Sequence, residues 1–411
     1  MARGKRQRRR TNSGMTTVFW GLLAVLSAWT VGAGVLRLAP QTLPEEPPEV
    51  QEPEPPPQPE PEPEPEPKTL AETVLEGMTL REKVCQLFVA YPVDLAGADQ
   101  VTQAGEATRQ ALEEYPVGGL IYDRTNLISR EHAEAMLAAV KTYGSIPLLL
   151  TCDEEGGRVN RLMDTIGTTY IGPMLRYKDQ GPEKAEENAR TIAGDLLAVG
   201  FNADLAPVAD VWSNPRNTVI GDRAYSGDFA QAAELVAAAV EGFHQGGAAC
   251  TLKHFPGHGD TSADSHNGSV YVYKTLDELR QAELLPFQAG IAAGADMVMI
   301  GHLIIAEVSP DPALLSPEIV TDLLREELGF SGVVITDGLQ MKAMTDHYSS
   351  GEIALGALRA GVDMLLCPEN LGEAVEALLS AVESGELAEE RIDESVLRIL
   401  AMKENRGILT E

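Results

Sequence analysis

The stretch Ser316-Pro317-Glu318-Ile319-Val320-Thr321-Asp322-Leu323-Leu324-Arg325-Glu326-Glu327-Leu328-Gly329-Phe330-Ser331-Gly332-Val333-Val334-Ile335-Thr336-Asp337-Gly338 holds one complete structural unit. Ser316 is placed to cap a helix, and Pro317 suits its first position, where the amide has no partner to lose. Ile319, Val320, Leu323, Leu324 and Leu328 recur at helical spacing and so share one face. Gly329 ends the helix. The apolar run 332–336 follows at once, rich in β-branched residues and too short for a helix, and Asp337-Gly338 closes it. A helix feeding straight into a buried strand is the return half of a βαβ unit.

The pattern repeats along the chain. Strand-like runs occur at 86–90, 119–122, 147–152, 203–207, 249–253, 297–301, 332–336 and 363–367, with helix-length segments between most of them. Alternating strands and helices imply an α/β fold with a parallel sheet, and eight such units predict a single TIM-like (β/α)8 barrel. Chemistry in such barrels sits at the C-terminal ends of the strands. Asp337 occupies one such end, although an aspartate before glycine is also ordinary turn chemistry. Run 147–152 leads into Asp153-Glu154-Glu155-Gly156-Gly157-Arg158, run 297–301 ends at His302, and Asp210 lies just beyond 203–207. Polar residues at the same end of several strands predict a pocket.

Run 249–253 delivers the densest polar segment, Lys253-His254-Phe255-Pro256-Gly257-His258-Gly259-Asp260-Thr261-Ser262-Ala263-Asp264-Ser265-His266. It holds three of the chain's seven histidines. Three chemistries fit it. His254 and His258, with Asp260, Asp264 and His266, offer metal ligands, but Pro256 and Gly257 break any helix between the histidines and no His-Glu-x-x-His is present. Gly257-His258-Gly259 offers backbone amides to a phosphate but lacks Gly-Lys-Ser/Thr. Glycosidic bond cleavage needs a carboxylate nucleophile and a proton donor. Asp337 suits the first role. A second carboxylic acid or a histidine suits the other, and in an Asp264-x-His266 pair the aspartate orients the imidazole and stabilises its cation.

Composition bounds the partners. With 32 basic and 62 acidic residues the net charge is −30, so a nucleic-acid partner, which calls for a basic face, is not expected. The N-terminus differs. Arg3, Lys5, Arg6, Arg8, Arg9 and Arg10 form a basic head within residues 1–14, and residues 11–36 carry no charge. An uncleaved transmembrane signal anchor over 15–36 is expected, long enough for a hydrocarbon core of about 30 Å. A cleaved signal peptide is the competing reading, but only Gly32-Ala33-Gly34 approaches a cleavage site. Basic residues stay in the cytoplasm, so the sequence predicts a single-pass cell-membrane protein whose remaining chain faces the cell wall. Residues 37–68 alternate proline and glutamate and are expected to form a disordered, extended linker. Cys85, Cys152, Cys250 and Cys367 are widely spaced and are expected to be buried free thiols.

The segment from Lys253 to Thr261, followed by Asp264-Ser265-His266, resembles the signature of glycoside hydrolase family 3 β-N-acetylglucosaminidases, which are β-hexosaminidases. Met78-Thr79-Leu80-Arg81-Glu82-Lys83-Val84-Cys85-Gln86-Leu87-Phe88, Asp153-Glu154-Glu155-Gly156-Gly157-Arg158-Val159-Asn160-Arg161-Leu162, Ile220-Gly221-Asp222-Arg223-Ala224-Tyr225-Ser226 and Ile335-Thr336-Asp337-Gly338-Leu339-Gln340-Met341 resemble further family segments in order and spacing. The resemblance implies a catalytic barrel over 69–411 that retains anomeric configuration. Asp337 is then the nucleophile, and His266 paired with Asp264 the acid/base. Asp153, Arg161, Arg223, Lys253 and His254 would hold the terminal sugar, and His302 and Met341 would line the site. Arg158 would brace a loop, and His258 would fix its own. Gly257, Gly259 and Gly268 would let the His266 loop move.

Gly338, Glu154 and Asn267-Gly268-Ser269-Val270 depart from the family pattern. The chain ends soon after the eighth unit, so the site is expected to form within one domain. No metal or organic cofactor and a monomer are expected. The substrate would be N-acetylglucosamine-containing oligosaccharide, with peptidoglycan fragments as its source. Phosphate as acceptor, a β-glucosidase specificity and a non-catalytic wall-binding protein are the alternatives.

Overall fold

The computed structural model describes residues 67–261 and 268–410, all within one compact unit, Pro65–Glu411. The basic head, the 15–36 segment, almost all of the 37–68 linker, Asp264 and His266 lie outside the described residues. No helix among the described residues is long and apolar enough to cross a membrane.

Strands β1 (Phe88–Ala90), β2 (Gly119–Ile121) and β3 (Leu149–Thr151) are parallel and fully buried. β4 (Thr251–Phe255) follows, then β5 (Val270–Val272), β6 (Met297–Ile300), β7 (Leu303–Ile305), β8 (Val333–Thr336) and β9 (Leu365–Leu366). Two parallel arcs form, β3-β2-β1-β9 and β4-β6-β8. They meet at one seam through the parallel bridge between Ile335 and Met364. At the other seam residues 202–208 stand between β3 and β4. The Ala203 amide donates to Leu150 at 3.2 Å and the Leu205 amide to Cys152 at 2.9 Å, while Ala203 pairs with Ala249 and Val208 with Lys253. The ring is therefore closed, as expected of the barrel. Its fourth position is a chain of bridges rather than a regular strand, because Pro207 has no amide to donate to a ladder.

The opening unit folds much as its pattern dictates. Ile319, Val320, Leu323 and Leu324 are buried on the helix Glu318–Glu327, and Gly329 leaves it with φ 68°. Ser316 differs from expectation: its hydroxyl donates to Glu318 at 2.7 Å instead of capping an amide, and its carbonyl starts the helix. The first strand begins at Phe88 because Gln86 closes the preceding helix Leu80–Gln86. The small parallel sheet β5–β7, at the rim, was not legible in the pattern. β7 follows β6 after only Gly301 and His302, beyond the end of the expected run 297–301. All four cysteines are free and buried, as expected.

One buried cation lies outside any site. Lys403 has no exposed surface, its Nζ donating to Gln86 Oε1 at 3.0 Å. Burial lowers its pKa to about 7. The unfolded chain therefore holds one proton more than the folded one between about pH 7 and the ordinary lysine range, so stability rises with pH across that window. Lys403→Met is expected to flatten this rise, as measured by urea unfolding at several pH values, and to raise stability most on its acidic side.

Candidate active site

The C-terminal ends of the barrel strands converge on a cavity of about 250 Å³. Asp153, Arg161, Arg223, Lys253, His254, Asp337 and Met341 all line it, seven of the ten residues expected there. Asp264 and His266 lie outside the described residues. His302 does not line the cavity. It is 1 % exposed, and its Nε2 stands 2.8 Å from the Gly338 carbonyl, behind the turn that carries Asp337. Its charge favours the ionised form of Asp337.

Asp337 follows β8 directly. Its amide donates to the Ile300 carbonyl at 2.9 Å, and its Oδ1 accepts from the Gly338 amide at 2.7 Å. Burial alone would raise its pKa. His302, His254, the Gly338 amide and Lys253 outweigh burial and hold the carboxyl below its ordinary range. The group is thus an ionised carboxylate, partly open to the cavity.

Opposite it stands a charge network. Lys253, 2 % exposed, donates to Asp153 Oδ1 at 2.7 Å and contacts Glu155 Oε1 at 2.6 Å. Arg161 donates to Asp153 Oδ2 at 3.2 Å. Arg223 grips Glu155 in a bidentate pair, 2.8 Å at each oxygen. Burial opposes ionisation of Glu155, but Arg223 and Lys253 drive its pKa far below the ordinary range. Glu155 lines the cavity as the counter-ion of both cations. It neutralises two cations so that both can sit at the wall. Asp153 also lines the cavity, between Lys253 and Arg161.

A second buried carboxylate arranges the histidines. Asp210 has 1 % exposure. Its Oδ2 lies 2.6 Å from His254 Nδ1, and it accepts the amides of His254 and His258. With Nδ1 engaged, the remaining edge of the His254 ring lines the cavity. Consecutive residues of an extended strand face opposite sides. Here the peptide Lys253–His254 is cis, and both side chains reach the wall. His258 fixes its loop, as expected: Nδ1 lies 2.9 Å from the Thr261 hydroxyl, and burial holds its pKa down. Arg158 braces a loop, donating to the carbonyls of Thr218, Val219 and Ile220.

Glu155 and Asp210 were given no role by the sequence. Each lay in or beside a strand-end segment, but only the tertiary fold shows which cations they meet. Glu154 accepts the amides of Arg161, Leu162 and Met163, so its departure from the family's glutamine serves a local turn. Two of the three glycines of this loop are required by packing. A Cβ on Gly259 would fall 1.7 Å from the Val211 carbonyl oxygen, and one on Gly257 would fall 2.7 Å from Glu283 Cβ. Close approach of the neighbouring chain thus requires glycine at both positions. Gly268 alone combines φ 145° with open space.

A closed parallel barrel that presents an ionised strand-end carboxylate beside a charged wall has the arrangement a glycoside hydrolase needs. Residues 79–402 match the glycosyl hydrolase family 3 N-terminal domain, and the chain belongs to that family. It is 38 % identical over 297 residues to a β-hexosaminidase of Stenotrophomonas maltophilia, covering 70 % of this chain and 86 % of that protein. It is 33 % identical over 325 residues to β-hexosaminidase A of Pseudoalteromonas piscicida, covering 72 % of this chain and 54 % of that one. Among solved structures, a family 3 β-N-acetylglucosaminidase from a Paenibacillus species superposes with a TM-score of 0.76 at 40 % identity. That match covers 81 % of this chain and 64 % of that one. The chain thus spans about two thirds of that protein's length.

Proposed function

We propose that the protein is a retaining exo-β-N-acetylglucosaminidase that removes terminal non-reducing β-linked N-acetylglucosamine. The observation that carries this reading is Asp337: a carboxylate held ionised at a strand end, facing a cavity sized for one sugar. In this reading Asp337 attacks the anomeric carbon and forms a glycosyl ester. His266, paired with Asp264, gives its proton to the leaving oxygen and then takes one from water. Asp153 accepts from sugar hydroxyls, while Arg161 and Lys253 donate to hydroxyls and the acetamide carbonyl. The names of the related proteins support the amino-sugar specificity. The natural substrate is inferred to be peptidoglycan-derived oligosaccharide, with the enzyme tethered outside the cytoplasm by residues 15–36 and spaced from the membrane by residues 37–68. Hydrolysis of paired p-nitrophenyl glycosides differing only at C2 tests the specificity. The acetamido sugar is expected to be cleaved far faster, and equal rates for the hydroxyl sugar would contradict it.

A further inference from the structure

The end of the barrel opposite the cavity holds a polar cluster that glycoside cleavage does not use. His244 sits in the last turn of the helix Phe229–Gly246, Cys250 directly precedes β4, and Asp296 directly precedes β6. β4 and β6 are neighbours in the sheet, so their starts bring Cys250 and Asp296 together. The Met297 amide donates to the Cys250 carbonyl at 3.0 Å, and the Cys250 amide donates to Asp296 Oδ2, also at 3.0 Å. His244 Nε2 lies 3.1 Å from Asp296 Oδ2 and 3.7 Å from Cys250 Sγ. One nitrogen, one sulfur and one carboxylate oxygen thus converge within 4.8 Å of one another.

The contacts at His244 do not fit one another. Arg406 follows the last helix, Glu389–Asn405. Its Nη2 stands 2.6 Å from the same His244 Nε2, and its Nε pairs with Asp296 Oδ1. Arginine only donates, so towards Arg406 the ring nitrogen must offer a lone pair. Towards the Asp296 carboxylate, which only accepts, it must carry a proton. A ring nitrogen has one in-plane direction and cannot do both. A cation that takes lone pairs from the imidazole, the carboxylate and the sulfur removes the conflict.

The spacings suit such an ion. Zinc binds nitrogen, oxygen and thiolate at about 2.0–2.3 Å, and a tetrahedral arrangement at those lengths separates the ligand atoms by roughly 3.3–3.8 Å. The separations of 3.1 and 3.7 Å are close to this. Asp296 Oδ2 has a second lone pair besides the one taken by the Cys250 amide. An entry path exists, a hollow of about 620 Å³ lined by Asp296, Arg406, Phe330 and Met402. A thiolate and a carboxylate together balance a dication, so Arg406 has only to swing Nη2 aside while Nε keeps Asp296 Oδ1.

We propose that His244, Cys250 and Asp296 form a structural zinc-type metal site, with Arg406 as the internal cation that competes for it. On binding, the Cys250 thiol gives its proton to solvent, its sulfur bonds the metal, and a water from the hollow takes the fourth position. The ion joins the helix Phe229–Gly246 to the starts of β4 and β6, on the barrel face whose residues serve stability. It takes no part in glycoside cleavage, for which no metal is expected.

Co²⁺ makes the site visible, because a thiolate ligand gives it a charge-transfer band in the near ultraviolet. Titration of the full chain is expected to develop that band to a one-to-one endpoint, and Zn²⁺ to displace it. Cys250→Ser is expected to lose the band. His244→Ala, at a ring partly open to solvent, is expected to weaken Co²⁺ binding by about tenfold or more. Arg406→Gln removes the competitor and is expected to tighten binding about tenfold, the worth of one charged donor. Saturating Zn²⁺ is expected to raise the thermal midpoint of the wild type by about 5 °C, and that of Cys250→Ser not at all. Circular dichroism checks that each variant folds. No band in either the wild type or Arg406→Gln, a band that survives in Cys250→Ser, or an affinity unchanged by Arg406→Gln overturns the site. If Cys250→Ser does not fold, His244→Ala decides, and an affinity equal to wild type overturns it.

Discussion

Asp337→Asn is expected to lower kcat for p-nitrophenyl N-acetylglucosaminide by roughly 10⁴-fold or more, as loss of a catalytic nucleophile does. The substitution keeps the shape of the side chain and an oxygen for the Gly338 amide, now 2.7 Å away, so the fold should survive. What it removes is the charge. Asp337 sits where burial would favour its neutral form, yet His302, His254 and Lys253 keep it ionised. An amide in the same place cannot attack an anomeric carbon. The thermal midpoint of the variant is expected to stay close to wild type, and circular dichroism checks this alongside the assay. The carboxyl lies below its ordinary pKa of 3.8, so its protonation begins only in stronger acid than usual. Any acid limb of kcat/KM above that range therefore belongs to another group, His266 in the proposed mechanism. Near-normal activity in Asp337→Asn would remove the basis for the functional assignment.

Glu155→Gln is expected to be the most destabilising conservative change in the site, by about 3–5 kcal/mol at neutral pH. Glu155 is only 4 % exposed and is the shared counter-ion of Arg223 and Lys253. Glutamine fits the space but leaves both buried cations facing each other with less compensation, since Asp153 alone still pairs Lys253. The pH dependence follows from the depressed folded pKa. The stabilisation is complete above the ordinary value of 4.5 and is lost as pH falls through the lower folded value. Urea unfolding of the two proteins should differ most near neutrality and converge in strong acid. KM should rise too, because Lys253 and Arg223 lose the anchor that aims them at the cavity. A difference in stability that stays constant with pH would show that Glu155 acts by packing and not by charge.

These predictions draw on residues of very different legibility. The barrel was readable because its strands are short, β-branched and buried on both faces, and because Gly329 and similar stops separate them from helices. The fourth strand escaped regular pairing through Pro207, and β7 was hidden by its closeness to β6. Asp153 follows β3 closely and Lys253 and His254 lie on β4, so strand ends point to them, whereas Arg161, Arg223 and Met341 sit on loops and turns and were expected only through the family resemblance. Glu155 and Asp210 were not, since their roles depend on partners 68 and 44 residues away in sequence. His302 was placed on the wall because it follows β6, but the turn at Gly338 covers it. The glycines around His258 read as hinges. A glycine required for close approach leaves the same mark in a sequence as one required for motion, and only the structure shows that Gly259 is needed for the approach of the Val211 carbonyl.

The central claim is that Asp337 is the atom donor to a covalent intermediate. Incubation with a 5-fluoro-N-acetylglucosaminyl fluoride, which forms the glycosyl ester quickly and loses it slowly, followed by peptide mass spectrometry, tests it directly. The account predicts one added fluorinated N-acetylglucosaminyl group on the peptide containing Asp337, absent in Asp337→Asn. Active enzyme that turns over the reagent with no adduct there, or with the adduct on another residue, would contradict it.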